Sequence, residues 1–235
     1  MIKTVFLLLL IGHILGDFYL PFKTNQNFMA VVKHSLMYLT TLLLVIIPIF
    51  NASLVKAILT ILVIHFLIKL VQNKIAHNGH LEIISYLIDQ SLHILAFLIT
   101  SIVVAEYVTP IEPIKHIYYQ LPFSITTFLS WILALLIIAK PACTTIRKIL
   151  YNYKPIMDES ESGHPNAGAL IGILERTIIL LLLYNYQYSA IGFVLTAKSI
   201  ARYNKIVEDA KFSEYYLLGT LLSVLLVLLT HLIIF

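Results

Sequence analysis

The chain has 235 residues, of which 60% are hydrophobic and only 12% are charged. An average soluble domain carries about 25% charged residues, so this composition argues against a soluble protein. The formal net charge of +4 does not indicate nucleic-acid binding, because membrane proteins collect Lys and Arg in their cytoplasmic loops. The single cysteine, Cys143, excludes an intramolecular disulfide and a thiolate metal site.

Apolar runs recur along the whole sequence, and several approach the roughly 20 residues that a helix needs to cross a bilayer. The sequence therefore predicts an all-α, polytopic helical membrane protein with about eight hydrophobic segments. These segments span roughly residues 2–20, 34–50, 54–71, 81–104, 123–139, 169–184, 189–203 and 215–235. Pro141 is expected to break or kink the fifth, and the seventh is short for a full span.

We expect four regions along the chain. The first, 1–106, is a four-helix membrane unit, and 107–150 contains a connecting loop, the fifth segment and an amphipathic piece. The polar stretch 151–168 is predicted to be a flexible cytoplasmic loop, and 169–235 holds the last membrane segments.

The distribution of basic residues predicts the orientation. One set of connections holds Lys23, Lys33, Lys74, Lys140, Arg147, Lys148, Lys154, Lys198, Arg202, Lys205 and Lys211. The opposite side holds Lys3, Lys56 and Lys115. Since the basic side faces the cytoplasm, both termini are predicted to be extracytoplasmic.

Ionisable residues interrupt the apolar runs in the first half of the chain. His13 and Asp17 are four residues apart in GHILGDF, and Asp89 and His93 have the same spacing in IDQSLH. Residues at i and i+4 lie on one face of a helix. His34 and His65 fall near the same predicted cytoplasmic ends of their segments. The pattern predicts one polar basin that opens to the cytoplasm.

Four imidazoles and two carboxylates suit Zn²⁺, Mn²⁺ or Fe²⁺ better than Ca²⁺ or Mg²⁺, which prefer oxygen-rich shells. The candidate metal ligands are His13, Asp17, His34, His65, Asp89 and His93. An ion bound there could activate a water for hydrolysis. Each His–Asp pair alone is better explained as a hydrogen-bonded unit that fixes helix packing.

A second set of polar residues lies in the last segments. Lys198, Arg202 and Arg176 could hold a phosphate or an anionic lipid headgroup. For Glu175 with Lys198, or Arg176 with Glu214, an ion pair that stabilises the fold is the preferred interpretation. The candidates for polar or anion contacts are Lys69, Glu175, Arg176, Lys198, Arg202 and Glu214.

Four motifs, GHILGDF, VKHSLMYL, HFLIK and IDQSLH, resemble a bacterial integral-membrane family, domain of unknown function 3307. IGILER, AIGFVLTAKSIARY and SEYYLLGTLLS resemble the C-terminal half of its longer members. The family's pattern places an aspartate four residues after the third histidine and a lysine one turn later. Here those positions hold Lys69 and Gln72. The resemblance implies no established activity, and Lys69 could repel a metal ion or neutralise Asp17 or Asp89.

Three functions remain open from the sequence. The leading one is a metal-dependent membrane hydrolase that acts from the cytoplasmic side on a lipid or phosphoester. The second is a transporter or proton-coupled permease that uses the same residues as a relay. The third is a non-catalytic membrane regulator that docks a cytoplasmic protein partner on residues 140–168. Membrane lipids are expected partners in every case, and nucleic acid is not.

Overall fold

The computed structural model describes residues 1–20, 28–75, 79–112, 116, 120, 123–154 and 167–235. In these ranges the chain is helical and contains no strand. The α-helices, in chain order, are α1 Ile2–Ile14, α2 Phe28–Val45, α3 Ala52–Ile75, α4 Gly79–Val104, α5 Ile125–Ile149, α6 Ala167–Tyr184, α7 Tyr188–Ile200, α8 Tyr203–Glu208 and α9 Ala210–Ile234. A π-helix, Leu15–Tyr19, continues α1, and 3₁₀ turns cover Ile47–Ile49 and Tyr151–Tyr153.

Within the described residues, seven helices are long and apolar enough to cross a membrane. They are α1 with its π-helix, α2, α3, α4, α5, α6 and α9. The predicted all-α polytopic class is confirmed. The seventh predicted segment is α7, whose 13 residues extend about 20 Å, well short of a bilayer core of about 30 Å. The count of eight and the orientation of the termini remain predictions.

The predicted end of the fifth segment was wrong, because α5 runs through Pro141 to Ile149. The predicted starts of the second and eighth segments, at residues 34 and 215, were also wrong. The corresponding helices begin earlier, α2 at Phe28 and α9 at Ala210. The Asp209 side chain accepts a hydrogen bond from the Phe212 amide at 3.0 Å, which caps α9 before the apolar run. Residues 155–166, most of the predicted cytoplasmic loop, lie outside the described residues, as do 113–115 and 117–119.

The chain forms two compact units, Met1–Leu133 and Ala134–Phe235. In the first, each of the helices α1 to α4 packs against the next, and α1 also packs against α4. This closed four-helix arrangement has an apolar core at one end, which includes Leu9, Leu42, Ile58 and Phe97.

Around the buried polar residues of the first unit, the outer surface of the helices is apolar. Leu95, Ile99 and Val103 on α4 are about half exposed, whereas Asp89 and His93 on the same helix are buried. In water this arrangement would leave apolar side chains solvated, but in lipid it is favourable. The burial pattern therefore fits a helix bundle surrounded by hydrocarbon.

Two glycines let α1 approach α2 closely. Gly12 and Gly16 form a G-x-x-x-G motif, which typically marks close helix packing in membranes. A Cβ atom at Gly12 would lie 2.8 Å from Leu42 Cδ2, and one at Gly16 would lie 2.9 Å from Tyr38 Cδ2. Both distances are too short for carbon atoms, so a larger residue at either position requires the Leu42 or Tyr38 side chain to move.

Gly16→Ala is therefore expected to destabilise the protein by about 1–3 kcal/mol, because the buried Tyr38 ring must move. An unfolding titration in detergent measures the effect. Gly192→Ala is the matched control, since a methyl group added at this position of α7 would meet no atom within 4 Å. The control should be neutral or slightly stabilising, by about 0.5–1 kcal/mol. Equal effects of the two substitutions would contradict the close contact.

Candidate functional site

The structure brings all six predicted ligand residues of the first unit to one end of the four helices. Asp17 lies in the π-helix that ends α1, and His34 lies in the first half of α2. His65 lies just past the middle of α3, Asp89 lies in the first half of α4, and His93 lies just past the middle of α4. Five of the six residues are buried, and the side chain of the sixth, Asp17, is 8% exposed. Antiparallel neighbours and short connections place these positions at one level.

The π-helix sets the direction of the Asp17 side chain. Its hydrogen bond from the Leu20 amide to the Leu15 carbonyl, 3.0 Å long, encloses one residue more than an α-helical turn. Such π-turns within helices are frequent at functional sites. Asp17 Oδ1 accepts a hydrogen bond from His34 Nε2 at 3.1 Å. His13, the predicted partner of Asp17 on the same helix, instead contacts Tyr38 and Gln90.

Asp17, His34 and His65 form a group that could hold a metal ion. Each offers one ligand atom, and these three atoms lie within 4.8 Å of one another. Zinc holds its ligands at about 2.0–2.2 Å, so ligand atoms on one ion lie roughly 3–4 Å apart. The three side chains thus need only small movements to reach coordination distance.

His65 belongs to a hydrogen-bonded chain that fixes its tautomer. The Asp89 carbonyl can only accept, so His93 Nδ1 donates to it, at 2.8 Å. The other nitrogen of a neutral His93, Nε2, then accepts from His65 Nδ1 at 3.0 Å. His65 Nε2 is left with a free lone pair, and this buried atom has no hydrogen-bond partner. A metal ligand needs such a lone pair.

His13 has both ring nitrogens engaged elsewhere. Its Nε2 donates to the side-chain amide oxygen (Oε1) of Gln90 at 3.2 Å, and its Nδ1 lies 3.1 Å from the Tyr38 hydroxyl. Its ring stacks on His93 with centroids 4.6 Å apart. In this arrangement His13 packs against His93, and neither of its ring nitrogens is free to bind a metal ion.

Sequence reasoning missed Tyr38 and Gln90. Tyr38 stacks on His65 with centroids 3.9 Å apart, and Gln90 donates to Asp89 at 3.2 Å. Each has a feature in the sequence that could have identified it as part of the site. Tyr38 follows His34 by four residues and shares its helix face, whereas Gln90 directly follows Asp89 within an apolar run.

Lys69 lies between the two carboxylates. Its ammonium group is 3.1 Å from Asp17 Oδ1, 3.2 Å from Asp17 Oδ2 and 3.1 Å from Asp89 Oδ2. The expectation that this lysine could neutralise Asp17 or Asp89 is confirmed, since it contacts both. A metal ion at Asp17 must therefore share that carboxylate with an ammonium group.

When the imidazoles are neutral, the formal charges of the cluster do not cancel. Asp17 and Asp89 contribute two negative charges, Lys69 contributes one positive charge, and neutral imidazoles contribute none. One negative charge remains inside a mostly buried site. Because buried net charge is unfavourable, the cluster favours the binding of a cation.

The comparison with protein families covers the part of the chain that holds this cluster. The family model described as "Protein of unknown function (DUF3307)" matches residues 5–121, which include the whole cluster. Residues 5–121 belong to this family. No curated protein and no solved structure matches the chain. The DUF3307 domain thus contains the site, and its function must be inferred from the site's chemistry.

The polar residues of the second unit lie outside the DUF3307 match and form contacts of their own. Lys198 of α7 donates to Glu175 of α6 at 2.5 Å and to Thr220 of α9 at 3.2 Å. The predicted ion pair between Glu175 and Lys198 is confirmed. These contacts tie three helices of the second unit together.

Arg176 is buried and is held by neighbouring groups of the second unit. It donates to the Ile138 carbonyl at 2.5 Å, to Ser223 at 3.3 Å and to Cys143 Sγ at 2.8 Å. Glu214, its predicted alternative partner, is exposed, as is Arg202. The contacts of Arg176 fix α6 against α5 and α9 within this unit.

Proposed function

We propose that the DUF3307 domain binds one divalent transition metal ion at Asp17, His34 and His65 and uses it for hydrolysis at the membrane. The observation that carries this proposal is the convergence of two imidazoles and one carboxylate within 4.8 Å, in a buried site. Catalytic zinc sites use three protein ligands and keep a fourth position for water, whereas structural sites use four.

The surroundings of the three residues support a metal site. Metal-bound histidines generally donate their second ring N–H to an oxygen or another acceptor, which fixes the tautomer. His65 Nδ1 has such a contact with His93 Nε2, and His93 is in turn fixed by the Asp89 carbonyl. A metal ion held by Asp17, His34 and His65 would supply a water activated for nucleophilic attack at neutral pH.

The test uses the full chain, purified in detergent, stripped with a chelator and reloaded with zinc. We expect about one zinc per chain by elemental analysis, and zinc-dependent hydrolysis of an activated carboxylic ester or phosphodiester, tested with p-nitrophenyl acetate and bis(p-nitrophenyl) phosphate. Protein that retains no zinc above background contradicts the metal site. Bound zinc without any hydrolysis contradicts the catalytic part alone.

His93→Phe is expected to lower zinc affinity by about 10- to 100-fold, while the stoichiometry stays at one. Phenylalanine can keep the ring stacking with His13 but cannot accept the hydrogen bond from His65. Competition with a chromophoric chelator measures the affinity. An unchanged affinity would show that His93 does not orient His65.

A proton relay is the second candidate function. The hydrogen bond between His65 and His93 favours it, as does the contact of Lys69 with both carboxylates. Intramembrane chains of this kind occur in pumps and transporters. Proton flux into proteoliposomes that is lost in both Asp17→Asn and Asp89→Asn would support the relay, and flux that survives both would exclude it.

A further inference from the structure

Lys69 is the most exposed charged residue of the cluster. Its side chain is 18% exposed, compared with 8% for Asp17 and 1% for Asp89. The Lys69 side chain is therefore more accessible from outside the protein than either carboxylate. Its positive charge favours an anionic ligand.

The position of Lys69 relative to the proposed metal follows from Asp17. The ammonium group contacts both Asp17 oxygens, and one of these oxygens belongs to the group that could hold the metal. The metal ion and the ammonium group thus share one carboxylate. Together they present two adjacent positive centres, separated by roughly the size of a carboxylate or phosphate group.

The charge of the metal-loaded site selects an anion. Two carboxylates, one ammonium group and a divalent ion sum to one positive charge when the imidazoles are neutral. One negative charge on the ligand cancels it. A phosphodiester carries one negative charge, shared by two non-bridging oxygens that can contact two cations at once, and unlike a carboxylate it has a bond to hydrolyse.

We propose that the substrate class of this site is a phosphodiester, with one non-bridging oxygen on the metal ion and the other on Lys69. This inference rests on the proposed metal-dependent function. In the reaction, the oxygen of water bonds to phosphorus and one ester P–O bond breaks. The leaving oxygen takes up a proton as an alcohol, the product is a phosphomonoester, and no oxidant or reductant is needed.

The experiment uses cobalt in place of zinc, because the absorption bands of Co²⁺ report a change of its ligands. The full chain in a phosphate-free maltoside detergent is loaded with Co²⁺ and titrated with diethyl phosphate, a soluble phosphodiester. We expect a saturable change of the cobalt spectrum.

The decisive variant is Lys69→Met combined with Asp89→Asn. It removes one positive and one negative charge, so the net charge of the site equals that of the wild type, with or without metal. We expect cobalt affinity to be retained and diethyl phosphate affinity to fall about 10- to 100-fold, the range for a lost hydrogen bond to a charged group. Lys56→Met, on the same helix but exposed and far from the site in sequence, should behave as the wild type.

Lys69→Arg provides a second test, because it retains a cation that can contact a phosphate. This variant should bind diethyl phosphate more tightly than the double variant. A dihexanoyl phosphatidylglycerol titration then separates two sources of the same chemistry: tighter binding than diethyl phosphate indicates a lipid substrate, and equal binding indicates a soluble diester.

The outcomes separate this inference from the proposed function. Wild-type protein that binds no cobalt contradicts both. Cobalt binding without any response to either phosphodiester overturns the substrate class and leaves the metal site standing. Equal phosphodiester affinities in the wild type and the double variant overturn the role of Lys69.

Discussion

Replacing His65 by phenylalanine is expected to lower zinc affinity by about 100- to 1000-fold. Structural zinc sites bind with about 10–16 kcal/mol over four ligands, or roughly 2.5–4 kcal/mol for each ligand, which corresponds to this range. Phenylalanine can keep the stacking on Tyr38, where the ring centroids are 3.9 Å apart, but it removes the free Nε2 lone pair. The loss would therefore reflect the ligand and not the packing.

Chelator competition on the purified protein measures this change. His231→Ala is the control, because His231 lies at the C-terminal end of α9, in the other unit of the chain. The control should bind zinc as the wild type does. Zinc affinity that is equal in the wild type and His65→Phe would contradict the ligand assignment, and a similar loss in His231→Ala would show that the effect is not specific.

Replacing Lys69 by methionine is expected to destabilise the protein by about 3–5 kcal/mol in the absence of metal. The substitution leaves two carboxylates in one buried site without their shared cation. Removing one partner of a buried ion pair generally costs this much, because the remaining charge is uncompensated. An unfolding titration in detergent measures the free energy of unfolding.

Asp89→Asn in the same chain should restore much of this loss, since only one carboxylate then remains with its His34 contact. The coupling energy from the double-mutant cycle is expected to exceed about 1 kcal/mol, as is usual for residues that contact each other. Zinc should also stabilise Lys69→Met more than it stabilises the wild type, because the ion replaces the missing positive charge. Additive effects of the two substitutions would contradict the proposed role of Lys69 as a shared counter-ion.

The sequence predicted much of the fold because its two strongest signals are local. Apolar runs of membrane-spanning length identified the long helices, and the i, i+4 spacings placed His13, Asp17, Asp89 and His93 on helix faces. The boundaries were less accurate. Pro141 lies inside α5, where the sequence indicated an end or a kink. In a membrane, neighbouring groups can satisfy the carbonyl that a proline leaves unpaired, so proline ends a helix less often there.

The site was predicted as a set of residues but not as an arrangement. Spacing along one helix suggested that His13 and Asp17 bind the same metal ion. In the structure, a π-turn at Leu15–Tyr19 follows α1, and the two residues have different partners. Asp17 contacts His34 of α2, and His13 contacts Gln90 of α4. Whether Lys69 would contact Asp17 or Asp89 also depended on how α1, α3 and α4 face one another, which no local pattern specifies. The G-x-x-x-G motif of Gly12 and Gly16, which allows the close approach of α2, is a local signal that would have predicted this helix pair.

The most direct test of the metal centre is X-ray absorption at the zinc edge of the zinc-loaded protein. We predict about four nitrogen or oxygen ligands at about 2.0–2.1 Å, with outer-shell scattering from two imidazole rings. His65→Phe and His34→Phe should each remove the scattering of one ring. A spectrum without imidazole scattering, or one that is identical in the wild type and both variants, would contradict a zinc site at Asp17, His34 and His65.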